Sequence, residues 1–411
     1  MASYWSGSDD GTGTITYSLD GGVVQYGGVT GKLIARLTDG TVDRNIYTYM
    51  GTSTTLADAS NQFKVADDDV TPNISAATLG VADDATAVKL IKFIHGKDAF
   101  ADITADTTAV RTCPMGDIMH SKPVVLNYAM YEFIADIEAD SIYIKGYIFV
   151  GATDGMMHAL RDATGEEAWA FIPPDLLPNL RHIRETEHHY YFVDNSPMIY
   201  VYDADGDGTI TSLDPSNPDY DASDHSDDND RAILIFGMRR GGGTDTITDG
   251  DPPPSRGSYY ALDITNPENP IYLMQINSED AGFGELGQTW SLPRLNKMKI
   301  GGQTKIVAIF GAGYDVNEDL RYGATQSYPL TDSATVTSDA SFGEGAETST
   351  DGNNPYLPRG RGLYIIEIAT LNSGVPSITN IGQRLWSYTH ADNGAMDFSF
   401  PADPLLLDRD S

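Results

Sequence analysis

The sequence of 411 residues contains one cysteine, Cys113, which excludes an intrachain disulfide and any cysteine-built zinc cluster. It contains no run of 18 or more apolar residues, so no segment reads as a membrane-spanning helix. The N-terminal stretch lacks a basic region followed by an apolar one, so no signal peptide is expected within it. Cations are scarce: 26 Lys and Arg stand against 59 Asp and Glu, a formal net charge of −33. A field of that sign repels phosphate backbones and anionic lipid surfaces, which argues against nucleic acid as a partner. Glutamate is scarce too, with 13 against 46 Asp and the first at Glu132. Glu suits helix interiors, whereas Asp suits turns, caps and metal loops, so a helical bundle is excluded.

What the chain does contain is 41 Gly, 21 Pro, 23 Tyr and 40% hydrophobic residues, enough to bury a core. The expectation is an all-β protein with long loops. Residues 1–115 read as a small mixed α/β N-terminal segment. Short strand-like pieces occur at Thr14–Tyr17 and Asn45–Tyr49, and two helices are expected at Leu56–Val65 and Ala85–His95. The second helix places Val88, Leu90, Ile91 and Ile94 on one face and ends at Gly96.

Residues 116–411 carry a repeat. A Ser–Pro signature opening an apolar strand occurs at Ser121-Lys-Pro123, Ser196-Pro197, Ser291-Leu-Pro293 and Ser399-Phe-Pro401. The first three are followed by an apolar strand closing on glycine: YIFVG (Tyr147–Gly151), ILIFG (Ile233–Gly237) and VAIFG (Val307–Gly311). A third strand follows each, and a fourth carries Trp169, Tyr272 or Trp386. Four short strands per unit with a large aromatic at a fixed place is the pattern of a β-propeller blade. The prolines are 74, 96 and 108 residues apart, whereas a bare blade takes about 40–50, so long insertions are required. Two are visible, Tyr202–Asp230 and Tyr314–Arg361. The fold expected is therefore a partial, truncated β-propeller with long insertions and blades starting near 121, 196, 291 and 399.

The strongest chemical signal lies in the first insertion. Asp203-Ala-Asp205-Gly-Asp207-Gly208-Thr209-Ile-Thr211-Ser-Leu-Asp214 follows the calcium-loop pattern except at its last place, where Asp replaces Glu. Carboxylates at alternate positions converge on one point if the chain curls sharply, and Gly208 permits that curl. The expected metal ligands are Asp203, Asp205, Asp207, Thr209, Thr211 and Asp214, with Ca²⁺ as the cofactor. Mg²⁺ fits less well because it demands tight octahedral geometry. The acidic residues that follow, up to Asp230, are read as raising local cation concentration rather than as ligands.

Other candidates carry less. His182, His188 and His189 lack zinc-protease spacing and are read as exposed. No nucleophile elbow, phosphate loop or dinucleotide fingerprint is present, and no catalytic residue is expected.

The motifs GDIMHSKPVV (Gly116–Val125), FVGATDGMMHAL (Phe149–Leu160), TGEEAWAFIPPDLLPNL (Thr164–Leu180), YYALDIT (Tyr259–Thr265), GQTWSLP (Gly287–Pro293) and FGAGY (Phe310–Tyr314) resemble, in this order, the C-terminal region of PilY1-type proteins. That resemblance implies a modified β-propeller with calcium loops and a non-enzymatic role in type IV pilus biogenesis. It also implies a location at the cell surface or pilus tip, reached through a signal peptide outside this chain. The implied partners are pilin or minor pilins, other pilus-assembly proteins, and host or surface ligands. The stretch DGMMHALRDATGEEAWAF is similar as well to the tryptophan-docked blades of pyrroloquinoline-quinone dehydrogenases, which supplies an enzymatic alternative. Against that alternative, Trp169 is the one good match, and a single cysteine cannot form the vicinal disulfide on which many of those enzymes stack the quinone.

Overall fold

The computed structural model describes residues 7–9, 15–17, 28–39, 44–66, 69–102, 105–128, 146–184, 190–204, 206, 208, 210, 230–241, 257–315, 329–330, 334–335 and 359–406. Most of the described chain is β-strand or loop, and three sheets of four or five strands form its body.

Sheet I is built from β1 (Ile46–Tyr47), β2 (Val124–Asn127), β3 (Gly146–Gly151), β4 (Met157–Arg161) and β5 (Glu167–Phe171). The last four form an antiparallel meander, and β1 joins its outer edge in parallel with β5. Sheet II is the meander β6 (Met198–Tyr202), β7 (Arg231–Gly237), β8 (Tyr259–Asp263) and β9 (Ile271–Ile276). Sheet III contains β10 (Arg294–Ile300), β11 (Gln303–Gly311) and β12 (Gly362–Asn372); β13 (Val375–Ser377) and β14 (Arg384–Thr389) both pair with β12. In all three sheets the register slips by a β-bulge at the same step, where the third strand meets the last: at Ala159/Leu160, Ala261/Leu262 and Ile365/Ile366. A bulge adds local twist, so the same bend is built into each unit.

The sheets pack face to face in chain order. Alternate residues of sheet II point to opposite sides. Leu234, Phe236, Tyr260 and Leu262 join a core with sheet I, and Ile233, Ile235, Tyr259 and Ala261 join a second core with sheet III. Phe171 contacts Phe236 and Tyr260 edge-on across the first interface, and the Tyr259 and Phe310 rings lie 4.6 Å apart across the second. The indole of Trp169 is fully buried, and its Nε1–H donates to the Pro267 carbonyl at 2.7 Å, tying sheet I to the β8–β9 turn.

The strand-closing glycines are required sterically. A Cβ on Gly151 would lie 2.3 Å from the Val193 carbonyl oxygen, and one on Gly311 would lie 2.0 Å from that of Phe400. The opening serines serve the same junctions. Ser121 Oγ accepts the Gly151 N–H at 2.9 Å, and Ser291 Oγ accepts the Gly311 N–H at 3.0 Å. The residue after each of these serines donates to the next unit, Lys122 N–H to Ser196 Oγ at 3.0 Å and Leu292 N–H to Asp403 Oδ1 at 2.8 Å. The position matching Ser196 is thus held by Asp403, four residues beyond the Ser399 that the sequence signature marks.

Among the described residues the N-terminal segment contains two α-helices, though not the pair expected. The helix α2 (Asp84–Ile94) forms as its periodicity requires: the Asp83 carboxylate accepts the Thr86 N–H at 2.7 Å, and the chain turns out at Gly96 with φ +105°. Leu56–Val65 is not a helix beyond the single 3₁₀ turn Ala59–Asn61. Buried Asn61 donates to the Ser53 and Thr55 carbonyls, and Leu56 N–H donates to Pro270 O, so local side-chain bonds and pairing to sheet II displace the helical ladder. The other helix, α1 (Gly28–Asp39), lies where two glycines and the absence of an acidic first turn hide it.

Candidate functional site

The loop singled out by sequence leaves β6 at Tyr202. Asp203 folds its carboxylate back over the chain, with Oδ1 accepting the Gly206 N–H at 2.7 Å and Oδ2 the Gly208 N–H at 2.9 Å. Both glycines adopt positive φ, +79° and +83°, the left-handed backbone that a tight curl needs and that β-carbons resist. The loop is held at both ends. Asp230, 3% exposed and directly preceding β7, accepts the Ala204 N–H on Oδ1 at 2.7 Å. Ile210 is buried in the core shared by sheets I and II, and its N–H donates to the Tyr128 carbonyl at 2.8 Å. The Tyr128 hydroxyl in turn donates to the Ile264 carbonyl of sheet II at 2.6 Å. The loop is therefore anchored across the junction of the first two sheets.

Of the six expected ligands, Asp203 is described in this geometry; Asp205, Asp207, Thr209, Thr211 and Asp214 lie outside the described residues. Among the described residues no group of three or more His, Cys, Asp or Glu side chains is arranged to hold a metal. What the described residues show is the curl itself: backbone donors orient the Asp203 carboxylate, and the two glycines adopt the left-handed backbone that the curl needs. Asp230, read from sequence as bulk acidity, has a specific position at the loop's base.

A second polar constellation, unforeseen from sequence, lies under the N-terminal segment. Arg44 grips Glu167 with two hydrogen bonds of 2.7 Å, from Nε and Nη2, while Nη1 donates to the Ile94 carbonyl at 2.9 Å. His158 stands between two carboxylates, Nδ1 2.8 Å from Glu167 Oε1 and Nε2 3.1 Å from Asp154 Oδ1. The Gly116 N–H completes Asp154 at 2.8 Å. Burial alone would neutralise the histidine, but Asp154 and Glu167 outweigh it and push its pKa up to about 9. Burial works in the opposite sense on the carboxyls and is likewise overcome. Arg44 and His158 hold Glu167 well below the usual carboxylate range, and His158 and Arg44 lower Asp154. The set is thus two cations facing two anions. With His158 and Glu167 at 0% and 2% exposure no substrate reaches it, so the chemistry is that of a clasp. The sequence signal was a polar or charged residue in a mostly apolar strand, Glu167 in EAWAF and His158 in MHALR.

The remaining histidines depart from expectation at one place. His182 is 2% exposed and its Nε2 accepts the Arg181 Nε–H at 2.9 Å, because the 3₁₀ segment Pro174–Arg184 packs against sheet I. His188 and His189 lie outside the described residues.

No family model matches the chain. Among curated proteins it is 29% identical over 263 residues to a type IV pilus biogenesis factor PilY1 homolog of Xylella fastidiosa, covering 57% of this chain and 15% of that protein. It is 27% identical over 251 residues to type IV pilus biogenesis factor PilY1 of Pseudomonas aeruginosa, covering 57% of this chain and 18% of that one. The matched region is thus less than a fifth of these relatives' length. Among solved structures, the Pseudomonas aeruginosa PilY1 C-terminal domain matches at 25% identity over 42% of this chain and 26% of that one. Its TM-score is 0.26, too low for a shared shape to be argued. The resemblance carried by the sequence motifs is borne out by these matches: the chain is a distant homologue of the PilY1 proteins.

Proposed function

We propose that this chain is part of a calcium-binding cell-surface protein that supports type IV pilus biogenesis, with its three sheets as successive blades of a β-propeller. The observation that carries the calcium reading is Asp203, whose carboxylate takes the N–H groups of both Gly206 and Gly208. The recurrent bulge supports the blade reading. In this reading Asp203, Asp205, Asp207, Thr209, Thr211 and Asp214 would hold Ca²⁺, which supplies the positive charge that four crowded carboxylates need. Ordering of the 202–230 insertion then stiffens the junction of sheets I and II through Ile210, and the altered surface is presented to pilin, minor pilins or other assembly proteins. The balance of pilus extension and retraction, and adhesion to host or other surfaces, are the processes such a switch would serve.

Calorimetric calcium titration of the chain, alongside Asp203→Ala and Asp205→Asn, tests the site. The expected result is saturable heat in the parent and weaker heat in both variants, with calcium-dependent protection of 202–230 from proteolysis in the parent. Absence of heat in the parent, or equal heat and equal protection in all three, overturns the calcium switch.

A further inference from the structure

The 3₁₀ segment Pro174–Arg184 follows the last strand of sheet I and buries Leu176, Leu177 and Leu180 in the core shared with sheet II. Asp175, near its start, is half-buried and turns its carboxylate onto the beginning of β8. Ser258 Oγ–H donates to Oδ2 at 2.5 Å and the Tyr260 hydroxyl donates to Oδ1; both donor residues are 0% exposed. Behind Ser258, the Gln275 amide of β9 donates to the Ser258 Oγ at 3.4 Å. The titratable groups facing the carboxylate are the phenols of Tyr260 on β8 and Tyr272 on β9, both held neutral by burial. Among the described residues no Arg, Lys, His or second carboxylate acts on it.

This network is complete with or without a proton on the carboxyl. When Asp175 is ionised, Gln275 donates to Ser258 and Ser258 donates to Asp175. With a proton on Oδ2, Asp175 donates to Ser258, and Ser258 donates to the Gln275 carbonyl once that amide turns by half a rotation. Tyr260 donates to Oδ1 in both states. Hydrogen bonding therefore does not oblige the group to ionise; what separates the states is the cost of a charge held against buried residues without a counter-ion. From this arrangement we infer that Asp175 is a proton-operated latch at the junction of sheets I and II, firm in mild acid and loosened when the carboxyl ionises toward neutral pH. Burial pushes the carboxyl up to about 6, and the bonds from Ser258 and Tyr260 offset only part of that rise. Because the folded value lies above the ordinary carboxylate value, the contribution is complete below about pH 4 and is lost as pH rises through about 6. The clasp carboxyls Asp154 and Glu167 have the opposite sign, since theirs are lowered. The inference is independent of calcium binding.

Urea unfolding of the full chain between about pH 5 and pH 7 tests the latch. Two variants accompany the parent: Asp175→Asn, whose amide reproduces the bonds of the protonated carboxyl, and Asp117→Asn, the same charge change at an exposed carboxylate. The parent's unfolding constant should rise about tenfold from pH 5 to pH 7 relative to that of Asp175→Asn. Asp117→Asn should keep the parent's pH dependence within about twofold. Tyr260→Phe removes one donor to the ionised form and should move the midpoint of the change up by about one pH unit. Hydrogen exchange of residues 174–184, corrected for the intrinsic rate, should slow from pH 7 to pH 5 in the parent and stay level in Asp175→Asn. Circular dichroism establishes that each variant folds; if Asp175→Asn does not, the Tyr260→Phe midpoint and the parent's exchange decide instead. The same pH dependence in the parent and Asp175→Asn, an unmoved midpoint in Tyr260→Phe, or exchange in the parent that fails to slow in acid overturns the assignment.

Discussion

Sheets I and III are copies of one meander, yet they read differently. The last strand of sheet I, EAWAF, is buried at every position, whereas the last of sheet III, RLWSYT, alternates, with Trp386 and Tyr388 exposed on one side. The difference lies in what covers them. Sheet I is packed by sheet II on one side and by the N-terminal segment at its edge, where Arg44 reaches in to Glu167 and Arg36 Nη1 donates to the Glu167 carbonyl. Sheet III packs Phe310 and Tyr364 against sheet II on one face and leaves Trp386 and Tyr388 of β14 exposed. A covered strand becomes continuously apolar, and its one charged residue must then be paired; an uncovered strand keeps its alternation. Sheet III also buries a charge, Glu367, bonded to Lys305 and Thr370, but both partners come from the sheet itself. The equivalent bond in sheet I recruits a residue 123 positions away.

Removing that recruited residue should have the largest effect. Arg44→Ala leaves the buried Glu167 and Asp154 with His158 as the one cation hydrogen-bonded to both among the described residues, and is expected to cost about 3–5 kcal/mol in chemical denaturation. Next, Trp169→Ala removes a fully buried indole and leaves the Pro267 carbonyl without its donor; a loss of about 3–5 kcal/mol, at the lower end if the site collapses, is expected. The third prediction is a pH dependence. The folded pKa of His158, about 9, lies above its unfolded value, so its contribution is complete below about pH 6.5 and is lost as pH rises through about 9. Stability should therefore fall by up to about 3 kcal/mol between pH 6.5 and 9.5, and His158→Gln should flatten that slope. The lowered carboxyls of Asp154 and Glu167 have the opposite sign, protecting the clasp until acid protonates them. The smallest effect belongs to sheet III: Trp386, 48% exposed, should tolerate replacement by alanine with a change below about 1 kcal/mol. If Trp386→Ala matched Trp169→Ala in cost, the two faces would be equally covered and the comparison would fail.

Much of the meander was legible in the sequence because an apolar strand closing on glycine is a local pattern. YIFVG, ILIFG and VAIFG each fall on the strand observed. Helix α2 was legible for the same reason, with cap, period and stop all within the fourteen residues Asp83–Gly96. What escaped depended on distant partners. Asn61 gave up a helix for bonds made possible by pairing with Pro270, and the clasp joins residues from Arg44 to Glu167 that no spacing rule connects. For the candidate loop, the curl at Asp203 is seen while five of the six expected ligands lie outside the described residues, and the Asp230 brace was missed because its acidity was read as solvated.

The two stitches between consecutive units differ in chemistry. Lys122 hands its amide proton to a neutral hydroxyl, whereas Leu292 hands its own to a carboxylate that also faces Arg294 at 3.4 Å. A neutral hydroxyl is indifferent to electrolyte, whereas a half-exposed carboxylate paired with an arginine is screened by it. Added electrolyte should therefore loosen the Leu292–Asp403 stitch before the Lys122–Ser196 one, so that the sheets come apart first at the Asp403 end.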